Sequence, residues 1–331
     1  DDWETVQTDV SINENGDIMT GMVNTDIAFD NNNTLFVAAR NGFMVTMYST
    51  FNSTQFARVG NNWVSTWGIT PSAMSDVSIA FDSSNIPYLG FTGGLQSIWS
   101  NNFKATVIRC VNDEWEFVQP LINYSFESVT DQGPASGGFS EFSAQRVRIS
   151  FDENDNLYCA FQNDNSVNCL CGPLSVMKSE GGNSIWEYVG SQNVSPDVIE
   201  NENQEVWFVS DVCFTQDGNP VVAYATPSGI SVKQFNGENW EFMGSEEHST
   251  GYVFDLVISN DESIYLGFRD AITSAFYDLE NNDNYYSVKT ISICSDLFYL
   301  CGDVNLDGEV NSQDAALILQ YIVGLVDLNN S

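Results

Sequence analysis

The chain has 331 residues, 43% of them hydrophobic and 13% aromatic, which is ample for one large β-domain or two ordinary domains. Against 10 basic residues stand 45 acidic ones, a formal net charge of -35. That balance cannot assemble a basic surface, so it excludes nucleic acid and disfavours an anionic membrane surface, while divalent cations are favoured.

No apolar run reaches the roughly 18 residues of a membrane helix, so no membrane insertion is expected. The chain begins at Asp1 rather than Met, which suggests a processed, extracellular or cell-surface product. N-x-S/T sequons at Asn32, Asn52, Asn123 and Asn329 fit that expectation, and a further one at Asn193 is weakened by Pro196.

Residues 1–7, "DDWETVQ", have the pattern of an outer strand; compare "NDEWEFVQ" at 112–119. Two placements of Trp3 to Val6 are open. The strand closes its own ring, or it adds to the edge of a neighbouring copy.

From residue 8 to 295 one pattern recurs: a hydrophobic strand, an Asp/Asn turn, and a second strand rich in aromatics. It reads "TDIAFDNNNTLFVAAR" from Thr25, "SDVSIAFDSSNIPYLGF" from Ser75 and "QRVRISFDENDNLYCAF" from Gln145. It returns as "SDVCFTQDGNPVVAY" from Ser210 and "FDLVISNDESIYLGF" from Phe254. A second signature follows each, around Trp63, Trp115, Trp186 and Trp240, with Tyr285 or Tyr286 in that place in the fifth copy. The turn residues tolerate φ > 0, as tight hairpins require. Four strands per repeat at this spacing predict an all-β, five-bladed β-propeller. Longer segments at 120–142 and 190–205 are expected to be loops available for contacts.

Asp26, Asp76, Asp211 and Asp255 recur at the start of the innermost strands, where they either ring the channel mouth or cap the strand. The repeated Trp residues are expected to pack between blades. Trp67, Trp99 and Trp207 lie off the repeat and are candidates for stacking on sugars. His248, the one histidine, sits in the polar stretch "GSEEHSTG" and suggests no triad. The seven cysteines form no zinc pattern, and disulfides are expected.

Residues 296–331 form a separate unit. Asp303, Asn305, Asp307, Glu309, Asn311 and Asp314 have the spacing of a twelve-residue calcium loop, with Gly308 at the sharp turn. Side-chain oxygens alternate along the loop, and the Glu309 carbonyl adds another, so Ca2+ is the expected cofactor. A helix follows, with Leu317, Ile318, Tyr321 and Ile322 on an apolar face.

Two resemblances sit on these residues. The body repeats resemble the "FDxxGxPYVAY … VxxFDGxxWxxVG" propeller repeats of secreted microbial proteins, over roughly residues 20 to 295. "GDVNLDGEVNSQDAALILQYIVG" resembles one repeat of a type I dockerin, a module that has two such repeats and docks into cohesins. That resemblance implies Ser312 and Gln313 as partner-selecting positions.

The expectation drawn from this is a non-catalytic, calcium-stabilised structural or adhesive module, not an enzyme. It would assemble with copies of itself or with a cohesin-like surface scaffold, through Trp3, Leu317, Ile318, Tyr321 and Ile322. The alternative is a dockerin-bearing glycan-binding protein or glycoside hydrolase, because five-bladed propellers include hydrolases with acidic residues around the channel.

Overall fold

A computed structural model of the chain describes residues 22–41, 44–51, 55–60, 69–71, 77–95, 104–118, 143–164, 173–182, 185–195, 212–225, 229–244, 251–259, 263–270, 288–293 and 316. Residues 1–7 and the 303–314 loop lie outside these, as do Asn52, Asn123, Asn329, Leu317, Ile318, Tyr321 and Ile322. Asn32 is described, on an exposed hairpin turn.

Each repeat folds as an antiparallel meander. The first sheet is β1 (Met22–Phe29), β2 (Leu35–Asn41), β3 (Met44–Phe51) and β4 (Gln55–Arg58), in that order. The second comprises β5 (Ile69–Pro71), β6 (Val77–Phe81), β7 (Pro87–Leu95), β8 (Lys104–Val111) and β9 (Glu114–Phe117), with β5 and β6 both pairing with β7. The third is β10 (Ser143–Phe151), β11 (Leu157–Asp164), β12 (Leu174–Ser179) and β13 (Glu187–Tyr188). The fourth is β14 (Val212–Phe214), β15 (Pro220–Ala225), β16 (Ile230–Phe235) and β17 (Trp240–Phe242). The fifth, among the described residues, is β18 (Gly251–Ile258), β19 (Ile264–Asp270) and β20 (Val288–Ile293).

The turns explain the meander. In the first hairpin Asp30 accepts from the N–H groups of Asn32 (2.9 Å) and Thr34 (2.7 Å), and Asn33 takes φ 59°. Asp82 and Asp152 hold the equivalent turns, in which Asn85 and Asp155 have positive φ. An Asx side chain tolerates this conformation and satisfies the turn's own N–H groups.

The sheets pack face to face in sequence. Four clusters form the core, one at each boundary from the first sheet to the fifth. Alternate residues of each inner strand face the preceding sheet: Ile79 packs against Ala28 and Ala38, and Leu256 against Val221 and Ala223. The residues between them face the following one, as Ala80 does toward Ile149. Fully buried side chains such as Phe91, Phe161 and Tyr224 contribute on the order of 2 to 3 kcal/mol each. Sequential four-stranded meanders packed in this way are propeller architecture.

Two sequence expectations change. The register Thr50↔Phe56 matches Cys110↔Trp115, so Phe56 rather than Trp63 holds the outer-strand aromatic position of the first sheet. Tyr285 and Tyr286, expected at that position in the fifth repeat, lie outside the described residues. Finally, among the described residues Cys110 and Cys159 are free thiols. Cys159 lies wholly buried among Leu157, Phe161 and Met177, where its thiol serves as a small apolar filler.

Candidate functional site at the inner strands

One register position unites the innermost strands. Asp26 pairs with Ala38, Ser78 with Gly90, Arg148 with Ala160, and Asp255 with Gly267. The partner is Ala or Gly each time, which leaves room beside a functional side chain. Just upstream the ladder breaks, at Val23/Thr25, Gln145/Arg148 and Val253/Asp255, and in the second sheet the break separates β5 from β6. A bulge re-aims the side chain that follows it and commonly borders active sites.

These side chains bridge neighbouring sheets. Asp26 Oδ2 accepts from the Ile79 N–H at 2.8 Å, and its Oδ1 from the Ile27 N–H at 2.9 Å. Ser78 Oγ accepts from the Ile149 N–H at 3.0 Å. Arg148 Nη1 donates to the Val77 carbonyl at 3.4 Å. Asp255 is exposed, and its Oδ1 accepts from the Leu256 N–H at 2.9 Å.

Burial pushes the Asp26 carboxyl above its ordinary range, and the negative charge of Asp255 adds to this. The Ile79 and Ile27 N–H groups and the positive charge of Arg148 pull the other way without reversing it. The result is a half-buried carboxyl that holds its proton to higher pH, near an exposed carboxylate and a guanidinium.

Gln162 lies beyond Ala160 on β11, opposite Gln145, where the β10 bulge begins. It is 3% exposed, and its side-chain amide N and O have no hydrogen-bond partner. An orphaned buried amide costs stability.

A groove of about 440 Å³ opens at the outer edge, between the third and fourth sheets. Tyr158, Tyr188 and Phe235 line it with Lys178, whose ammonium lies 5.6 Å from the Tyr158 ring centroid.

Sequence reading found Asp26 and Asp255. It chose Asp76 where the register selects Ser78, because the break between β5 and β6 shifts the ladder. It missed Arg148 and Gln162, although aligning "RISFD" with "DIAFD" would have placed Arg148. Asp76, Asp211, His248, Trp67, Trp99 and Trp207 lie outside the described residues. Among the described residues no His, Cys, Asp or Glu cluster forms a metal site, and no helix is long and apolar enough to cross a membrane.

No family model matches the chain, and no curated protein does. Solved structures do. A protein of unknown function from Dyadobacter fermentans aligns with TM-score 0.50 and 11% identity, over 83% of this chain and 79% of that one. A polysaccharide lyase of the ulvan lyase type aligns with TM-score 0.48 and 8% identity, over 82% and 64%. An endo-arabinase from Bacteroides thetaiotaomicron aligns with TM-score 0.43 and 12% identity, over 83% and 95%. At these identities the likeness concerns the fold. The expectation of a non-catalytic structural module that is not an enzyme is corrected here: the solved structures of similar fold include glycoside hydrolases and polysaccharide lyases.

Proposed function

We propose that the protein is a carbohydrate-active enzyme of propeller fold that works on glycans at the inner-strand position. The observation that carries this reading is the Asp26 carboxyl, fixed by two backbone N–H groups and held protonated to higher pH by burial, with Asp255 and Arg148 presented from other sheets. Cleavage of a glycosidic bond needs a protonated carboxyl to donate to the leaving oxygen and an ionised one to act as base or nucleophile. Asp26 takes the first role and Asp255 the second. Arg148 positions an anionic or hydroxylated substrate group.

The finer features belong to the same proposal. The five sheets are five blades. The Asp303, Asn305, Asp307, Glu309, Asn311 and Asp314 loop binds Ca2+ and, with its helix, tethers the enzyme to a cohesin-like scaffold outside the cell. The alternating oxygens and the placed Gly308 support this.

The test is a panel of plant, algal and microbial polysaccharides, read by release of reducing ends or of unsaturated products. Cleavage by the wild type that Asp26→Asn and Asp255→Asn each abolish supports the reading. Cleavage that survives both substitutions places the chemistry elsewhere.

A further inference from the structure

Equivalent rungs of the sheets carry different side chains. In the second sheet Tyr88 pairs with Arg109, and Arg109 with Glu116. In the third the same rungs hold Tyr158, Lys178 and Glu187. In the first they hold Phe36, Ser49 and Ala57. The second sheet satisfies its own charges: Arg109 Nε lies 2.6 Å from Glu116 Oε1, and Arg109 Nη1 donates to the Tyr88 hydroxyl at 3.5 Å. In the third sheet the Lys178 ammonium lies over the Tyr158 ring, 5.6 Å from its centroid. Among the described residues it forms no ion pair with Glu187 or Glu180.

Those three charges line the groove of about 440 Å³ between the third and fourth sheets. Two rings line it with them. Tyr188 follows Glu187 on β13, and its hydroxyl accepts from Gln192 Nε2 at 3.1 Å. Phe235 comes from the fourth sheet, at the rung that Ser179 holds in the third, since Lys178↔Glu187 matches Gln234↔Glu241. None of the lining residues lies on an inner strand. The second boundary is built with a closed Arg-Glu pair and a serine, so the fold itself does not require this set.

We infer that this groove is a second, non-catalytic binding site, and that it takes a neutral sugar unit of a polysaccharide. Its volume suits a small ligand, and aromatic walls with a few placed polar groups are what such a site needs. A sugar offers two kinds of surface. Its C–H face packs on rings such as Tyr188 and Phe235, and its hydroxyls both donate and accept. The Glu180 and Glu187 carboxylates accept from hydroxyls, and the Lys178 ammonium donates to one. A wholly apolar ligand would strip water from three charges and return no hydrogen bond. An anionic ligand would meet two carboxylates for one ammonium, in a chain of net charge -35. The site is separate from the inner strands and stands whether or not they carry catalysis.

Affinity electrophoresis of the full chain tests it, in gels cast with neutral β-glucan, xylan or galactomannan, or with acidic polygalacturonate. At least one neutral polysaccharide should retard the wild type. Lys178→Met and Glu187→Ala, each with an unchanged melting temperature, should bind it about tenfold more weakly, the scale of one lost hydrogen bond to a charged group. Glu187 is exposed, so its variant folds even where Tyr188→Ala does not. Hydroxyl-radical footprinting then maps the contact: the bound polysaccharide should slow oxidation of Tyr188 and Phe235. Retardation by polygalacturonate alone, no retardation at all, binding that Lys178→Met and Glu187→Ala leave intact, or unchanged oxidation of both rings overturns the inference. Binding that needs these residues without any cleavage would remove the catalytic reading and leave this one standing.

Discussion

Trp240 donates its indole N–H to the carbonyl of Val189 at 2.7 Å, across the boundary between the fourth and third sheets. Trp115 makes the same bond to Val59 at 3.2 Å, between the second sheet and the first. The glycine after each carbonyl, Gly190 and Gly60, has φ near 70° and lies against the incoming ring. At these two boundaries the tryptophan and the Val-Gly form an inter-sheet latch. The tryptophan belongs to one sheet, and the Val-Gly it locks belongs to the sheet before.

Trp240→Phe should keep most of the apolar contact and lose the hydrogen bond, at a cost of about 1 to 2 kcal/mol. Gly60→Ala should cost at least as much. Its φ is left-handed, and an added Cβ would lie 2.5 Å from Trp115 Nε1. Thermal or urea unfolding checks both, and the control Gly218→Ala, with open space around a Cβ, should show only the backbone penalty.

Two sets of carboxylates should act oppositely on stability as pH changes. The pKa of Asp26 is raised above its ordinary 3.8, so its favourable share is complete below that value and is lost as pH rises through the folded value. Asp30 and Asp155 are lowered. At Asp30 burial opposes this, but the Thr34 N–H and the Asn85 amide prevail; at Asp155 the Ser83 hydroxyl and N–H are the cause. Their share is present above 3.8 and is lost as pH falls through the folded values. Relative to wild type, Asp26→Asn should therefore fare better at pH 7 than at pH 3.5, and Asp155→Asn the reverse. Unfolding curves at the two pH values decide it.

Gln162 separates fold from function. Replacing an orphaned buried amide with an apolar side chain of similar shape is close to neutral or stabilising. Gln162→Met should therefore leave the melting temperature unchanged or raised, while lowering turnover on any glycan the enzyme cleaves. A variant that melts lower with turnover intact would make Gln162 a structural residue.

The thiols give a simple chemical check. Burial pushes Cys110 up to about 11, helped by the charge of Asp113, and holds Cys159 well above the ordinary thiol range. Thiolate is the reactive form. At pH 8 a maleimide should leave Cys110 and Cys159 unlabelled in the native protein and label both in urea. Protection that persists in urea until a reductant is added would mean that they are disulfide-bonded.

What the sequence revealed and concealed follows from the range of each interaction. The hairpins were legible because "FDNNNT", "FDSSNI" and "FDENDN" carry their own turn chemistry within a few residues. The latch tryptophans were legible as a repeat, though not as donors to the preceding sheet. Phe56 was hidden because the eye follows Trp63, while register follows the ladder. Ser78 and Arg148 were hidden for a related reason. Their equivalence to Asp26 depends on bulges, and a bulge shifts pairing without any fixed residue type. The orphaned amide of Gln162 is a property of packing alone, so no sequence pattern announces it.

The proposed calcium loop calls for its own experiment. Titration calorimetry should show one Ca2+ site in the full chain, abolished by Asp303→Ala with Asp307→Ala, with the unfolding of the sheets little changed. Equal binding by the double variant would move the ion to the acidic surface.

The most direct measurement of the central claim is glycan cleavage by wild type beside Asp26→Asn, both verified as folded. The account predicts product from at least one polysaccharide with wild type and a loss of a hundredfold or more with the variant, the scale of losing a positioned general acid. Equal rates from the two proteins, or no cleavage of any polysaccharide by the wild type, would contradict it.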